Sequence, residues 1–152
     1  MRLVCFVIAF SLGLAWSAAF PATASAAQKL EGPFEFKVLK VIDGDTFRAR
    51  VTIWLGQTVD VKIRLKGVDT PEMKGKCAAE IKLAREAKAF AVQWLRQDAL
   101  SLTQIHNGTY AGRVLGTVQT TDAAGASQTL SGALLKAQLA KPYRGRRATW
   151  CP

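Results

Sequence analysis

Histidine is almost missing from this chain, which has His106 alone among its 152 residues. A paired-imidazole mechanism of the ribonuclease kind needs two such rings and is excluded. Schemes in which a Ser or Cys nucleophile is activated by a His base are weak for the same reason. Cysteine is scarce too, at three. Few thiols and a lone imidazole do not supply four zinc ligands at any recognisable spacing. Acids are outnumbered, 11 against 21 Lys and Arg, for a net charge of +10. Internal repeats and low-complexity tracts are absent.

What is present begins with Met1-Arg2, an apolar run from Leu3 to Phe20, and the small residues Ala24-Ser25-Ala26-Ala27. This is the layout of a secretory signal peptide over 1–26, cut after Ala26 with Ala24 and Ala27 as neighbouring alternatives. The run is short for a bilayer span and ends in Pro21 and small residues, so no membrane anchor is expected after cleavage. The expected location is periplasmic or extracellular. Residues 27–152 fit one domain with a single core, expected to be a monomer. Without Arg2 they carry a net charge of +9, which favours polyanions such as nucleic acid or anionic lipid. Cys5 departs with the signal and leaves Cys77 and Cys151, an even pair in an oxidising compartment. A disulfide between them is the expectation, and it would pin the C-terminus to the middle of the fold.

Gln28–Gly32 reads as an exposed leader, with the ordered domain starting near Pro33. From Phe34 to Leu65 the apolar period is two, through Phe36 and Val38, then Phe47 to Leu55, then Val59 to Leu65. The breaks are Asp43-Gly44-Asp45 and Gly56-Gln57, both turn-forming, so three antiparallel strands are expected. Arg48, Arg50, Lys62, Arg64 and Lys66 lie on their polar faces. The period then changes, and Ala78–Gln97 reads as a helix with Leu83, Ala87, Phe90, Ala91, Trp94 and Leu95 on its apolar side. Further strands are expected at Leu100–Ile105 and Arg113–Thr120, a turn at Asp122–Gly125, and a second helix at Thr129–Ala140. This order, α+β in class, is compatible with a small five-stranded barrel.

Four of the 11 acids, Asp43, Asp45, Asp69 and Glu72, fall where strands turn. A meander can bring the two strand ends together, and carboxylate and carbonyl oxygens without soft ligands suit a hard cation, calcium or magnesium. Taken singly, Asp-Gly is a common turn and Asp-Thr-Pro-Glu a common loop cap.

Three segments together carry more: Val41-Ile42-Asp43-Gly44-Asp45-Thr46-Phe47, Arg64-Leu65-Lys66-Gly67-Val68-Asp69-Thr70-Pro71-Glu72, and Gly112-Arg113-Val114-Leu115-Gly116. In this order they resemble the signature segments of the staphylococcal nuclease, or thermonuclease, family, over about Phe36 to Tyr143. The resemblance implies a five-stranded OB-fold barrel and calcium-dependent hydrolysis of DNA, RNA or both, with little sequence preference and 3′-phosphate ends. It implies calcium ligation by the carboxylates of Asp45 and Asp69 and the carbonyl of Thr70, with Asp43 in the outer shell. Glu72 corresponds to the proposed general base, Arg64 and Arg113 to the arginines that grip the scissile phosphate, and Tyr110 and Tyr143 to base-contacting tyrosines.

There are departures from the family pattern. Ala111 stands between Tyr110 and Gly112, where the family has Tyr directly before Gly-Arg. Gln138 replaces an expected glycine. The founding member's long third helix has no counterpart, and the Cys77–Cys151 link is expected to replace its contribution. The alternative to an enzyme is a non-catalytic OB-fold module that binds nucleic acid, and against it stands the presence of all five of Asp45, Asp69, Glu72, Arg64 and Arg113.

Overall fold

A computed structural model describes residues 28–108, 112–121 and 125–152. Five long strands make the body: β2 (Phe36–Val41), β3 (Thr46–Trp54), β4 (Gln57–Leu65), β6 (Ser101–Asn107) and β7 (Arg113–Thr121). Short strands accompany them: β1 (Lys29–Leu30), β5 (Val68–Asp69), β8 (Ser127–Thr129) and β9 (Lys141–Pro142). The helices are α1 (Ala78–Trp94) and α2 (Leu130–Lys136).

The main sheet runs in the order β1-β6-β7-β4-β3-β2, antiparallel except for the β4–β7 pair. That parallel pair needs a long crossover, which α1 and β6 provide. Phe34 exchanges backbone hydrogen bonds with Leu102 of β6 (2.9 and 3.0 Å), and Thr52 of β3 donates to the carbonyl of Glu35 at 3.0 Å. One stretch of chain thus pairs with both ends of the β6-β7-β4-β3 path and closes the sheet into a barrel, which leaves few free edges.

The period-two pattern does the work expected of it, since Phe47, Ala49, Val51, Ile63 and Leu65 all point into the core. Helix α1 caps one end through Ala84, Ala87, Ala91 and Trp94, while Leu130 and Leu134 of α2 close its flank. Leu83 is only half-buried, because the inward face of α1 is the small-residue stripe one position on. Among the described residues no helix is long and apolar enough to cross a membrane.

Several boundaries depart from expectation. Lys29–Leu30 is not a loose leader; it forms β1 against His106 and Ile105, because an open edge of β6 offers unpaired backbone groups. The first hairpin turns at Leu55-Gly56, with Gly56 at φ +68°, and Gln57 already belongs to β4. Helix α1 ends at Trp94, before Gln97. Helix α2 is shorter than Thr129–Ala140. Thr129 caps it by accepting from the Gly132 N–H at 3.0 Å, and Gln138 adopts φ +59° just past its end. A helix commonly stops with a residue in this left-handed conformation, usually glycine. Asp122–Ala124, in the expected turn before β8, lie outside the described residues.

Cys77 and Cys151 form the expected disulfide, 74 residues apart. Closing a loop of that length stabilises by about 4 kcal/mol in the chain-entropy picture.

Candidate active site

The site is built where β3 begins and β4 ends. Asp43 and Asp45 lie in the turn before β3, and the Asp45 N–H donates to Oδ1 of Asp43 at 3.1 Å, a local bond that shapes the turn. Gly44 is required by a close approach. A Cβ there would lie 2.8 Å from that of Ala87 on α1 and 2.9 Å from Cγ2 of Thr70. The turn can therefore press against both the helix and the segment after β4. Thr46 and Arg64 are direct partners in the β3–β4 ladder, and the Leu65 N–H donates to the Asp45 carbonyl at 2.8 Å. Antiparallel pairing of neighbouring strands thus puts two sequence-distant acidic segments side by side.

Arg64 joins them. Its Nη1 donates to Oδ1 of Asp45 at 2.7 Å and its Nη2 to Oδ1 of Asp69 at 3.1 Å. Asp45 is 1% exposed and Asp69 3% exposed, and buried polar groups of this kind need hydrogen-bond partners, which the guanidinium supplies to both. Oδ1 of Asp45 also accepts from the Thr46 hydroxyl at 2.8 Å, and Oδ2 from the Thr70 N–H at 3.0 Å. Asp45, Arg64, Asp69 and Thr70 therefore form one bonded cluster.

Asp43 is at its border. Burial, then the negative charge of Asp45 and its hydrogen bonding, and more weakly the charge of Glu72, push its carboxyl up to about 7. That effect also places the Glu72 charge near the cluster. Glu72 itself is half-buried behind the buried Pro71.

Arg113 pairs in register with Lys62 on the parallel strand, while Arg64 lies two residues beyond Lys62. Side chains two apart share a face, so both arginines stand on one side of the sheet. Tyr143 follows β9, which pairs with β5, and its N–H donates to the Gly67 carbonyl at 2.9 Å. Its half-exposed ring lies 6.0 Å from the Arg64 guanidinium carbon. Tyr110 lies outside the described residues.

Residues of the site that sequence reasoning missed come from α1 and the C-terminal segment. Glu80, 3% exposed, accepts from the backbone N–H groups of Glu72 (3.3 Å) and Lys76 (2.8 Å) and from Arg147. Burial alone would raise its carboxyl, but these donors outweigh burial and hold it below the ordinary range. Oδ2 of Asp69 accepts from the Ala148 N–H at 3.0 Å and the Trp150 indole at 3.4 Å. An acid three residues past Cys77, in the first turn of a helix, was the available signal for Glu80. For Trp150 it was adjacency to Cys151.

Two other features carry no site chemistry. Cys77, Glu80 and Cys151 bring ligand atoms within 4.8 Å of one another, but both sulfurs are consumed in the disulfide. A cleft of about 690 Å³ lies between Phe90 and Trp94 of α1 and Gly132 to Ala137. It holds none of the acids.

The model of the staphylococcal nuclease homologue family matches residues 62–150. The chain belongs to this family. No curated protein matches it. The family match begins within β4, so the Asp43–Asp45 turn lies before it, and the β3–β4 pairing brings that turn to the matched segment. Membership in the staphylococcal nuclease family sets the broad role, a nuclease or nucleic-acid-binding domain.

Proposed function

We propose that the protein is an exported, calcium-dependent phosphodiesterase that hydrolyses DNA, RNA or both with little sequence preference. The observation that carries this reading is the cluster itself: Asp45 and Asp69 face a single guanidinium, with Asp43 and Glu72 beside them. The donor set fits a hard divalent cation. It is all oxygen, and its two buried carboxylates share the one Arg64 guanidinium. Asp45, Asp69 and the Thr70 carbonyl would hold the ion, with Asp43 behind them. When bound, calcium supplies positive charge against the phosphate oxygens.

The chain's own residues do the rest. Arg64 and Arg113 stand on one face of the sheet, from which both guanidinium groups would meet a phosphate held beside Asp45 and Asp69. Two planar guanidinium forks match the equatorial oxygens that gain charge during in-line attack. Glu72 takes a proton from the attacking water, whose oxygen bonds to phosphorus as the bond to the 5′ oxygen breaks; the leaving 5′ oxygen takes a proton from solvent, and the products are a 3′-phosphate and a 5′-hydroxyl. Glu80 holds the backbone of Glu72 and so fixes where that carboxylate starts. Tyr143 offers an exposed ring for base stacking next to Arg64. The disulfide supports export, since such bonds persist in oxidising compartments.

The test is to incubate purified protein with single-stranded DNA and RNA, in calcium and in excess chelator. Calcium-dependent cleavage to 3′-phosphate ends is expected. Full activity in chelator refutes the calcium reading, and tight binding without cleavage makes the protein a binding module.

A further inference from the structure

We propose that the C-terminal segment Arg147–Cys151 is a positioning element of the cation site, and that the Cys77–Cys151 disulfide makes completion of that site depend on oxidation. The inference rests on the reading of Asp45 and Asp69 as cation ligands.

The segment touches the site at two points. Ala148 and Trp150 donate to Oδ2 of Asp69, while Arg64 holds Oδ1 of the same carboxylate. The tail thus fixes the rotation of the Asp69 carboxylate and leaves Oδ1 to the guanidinium that also bonds Asp45. Arg147 pairs with Glu80, which receives the backbone N–H of Glu72. One strap therefore steadies both a candidate ligand and the loop of the candidate base. Hydrogen bonds that orient a ligating carboxylate commonly change metal affinity by about 10- to 100-fold when lost.

What holds the strap is mostly weak apart from the disulfide. Lys141 donates to the Thr149 carbonyl at 2.7 Å and lies 4.5 Å from the Trp150 ring centroid, yet it is exposed. The Arg147 side chain is 40% exposed although its partner Glu80 is 3% exposed, so the pair is only partly shielded from water. A small cleft of about 190 Å³ remains beneath the strap, between Lys76, Glu80 and residues 147–151. Contacts this few and this exposed open readily unless tied. The disulfide supplies the tie by keeping Trp150 and Ala148 at high local concentration beside Asp69.

Oxidation follows ordinary thiol–disulfide exchange. A protein or small-molecule disulfide accepts two electrons and two protons and becomes a dithiol, while the two cysteine sulfurs join. In a reducing compartment the strap is untied and the site lacks its Asp69 support. A nuclease made inside a cell would thus be completed only where disulfides form.

The experiment uses the purified protein, oxidised and after treatment with a thiol reductant, alongside Trp150→Phe with its disulfide intact. Calcium affinity is read by titration calorimetry, cleavage by single-turnover assay, and folding by thermal midpoint. Reduction is expected to weaken calcium binding about tenfold or more, and Trp150→Phe about three- to tenfold. The phenyl ring keeps the stacking on Lys141 but loses the donor, so the Trp150→Phe midpoint should stay within about 2 °C. A purely structural role would move that midpoint and leave the affinity alone. Equal calcium affinity for wild type and Trp150→Phe overturns the proposal, as does no calcium binding in the oxidised protein. Calcium binding that follows the redox state without any cleavage keeps the proposal and removes only the nuclease reading.

Discussion

Two sets of buried acids lie within one short stretch of this chain and are treated in opposite ways. Asp45 and Asp69 are bridged by a single guanidinium, and the neighbouring Asp43 is pushed up to about 7, by burial first and then by the charge of Asp45. Eight residues beyond Glu72, Glu80 is surrounded by donors and held below its ordinary range. At Asp43 no donor outweighs burial, whereas at Glu80 the donors do. Opposite shifts of this kind distinguish a candidate site from a structural brace.

The contrast breaks first, and most heavily, at Glu72 and Arg64. Glu72→Gln keeps size but loses the base, and should lower single-turnover cleavage at least about 100-fold, roughly 2.7 kcal/mol of barrier, with binding retained. Arg64→Lys should lower the rate heavily too and also disturb calcium affinity, since a single ammonium cannot bond Asp45 and Asp69 as the fork does. Wild-type rates in both would show that the charge-rich set is not catalytic.

Glu80→Gln should instead act on stability, with a loss of about 2 kcal/mol at pH 7 in urea unfolding, because bonds to a buried carboxylate are weakened together. The folded carboxyl lies below 4.5, so its contribution is present above that pH and disappears as pH falls through the folded value. The difference between variant and wild type should therefore shrink toward pH 3. A pH-independent difference would mean the brace is not electrostatic.

Asp43→Asn should have the opposite sign and a smaller size. A carboxyl raised from 3.8 to about 7 contributes stability below 3.8 that is lost as pH rises through about 7. In chelator at pH 8 the Asn variant should gain about 1 kcal/mol after allowance for solvent screening of this half-exposed group. It should also gain less from added calcium than wild type does. A loss of stability in chelator would show that the acid cluster is not repulsive.

The smallest effect concerns neither set and serves as a control on the frame. Gln138→Gly places glycine at φ +59° after α2 and should add about 0.5–1 kcal/mol without changing calcium affinity or rate. Equilibrium unfolding and the cleavage assay measure both halves.

Much of this was legible because the information is local. Alternation from Phe36 to Leu65 marks three strands, and Gly44 and Gly56 mark their turns. Arg64, Asp69 and Glu72 sit on one short segment whose spacing places them together. The tail was not legible. Cysteine parity pins Cys151 to the middle of the fold, but nothing in the sequence from Lys141 to Pro152 marks its backbone and Trp150 as partners of the buried Asp69. Glu80 was equally hidden, because an acid in the first turn of a helix is ordinarily a solvated end that favours the helix dipole. Strand β1 was missed for a related reason: two residues carry no periodicity, and only the open edge of β6 makes them a strand.

The sequence by itself determined the strand pattern, the two acidic turns, the arginines beside them and the pairing of Cys77 with Cys151. Each depends on periodicity, spacing or parity within short segments. Tertiary structure alone decided that Arg64 bridges Asp45 and Asp69, that Asp43 and Glu80 shift in opposite directions, and that the chain's end holds Asp69 from behind. Those facts depend on burial and on contacts across up to 81 residues of separation, and neither the desolvation of a carboxylate nor the donor that answers it is encoded in the residues next to it.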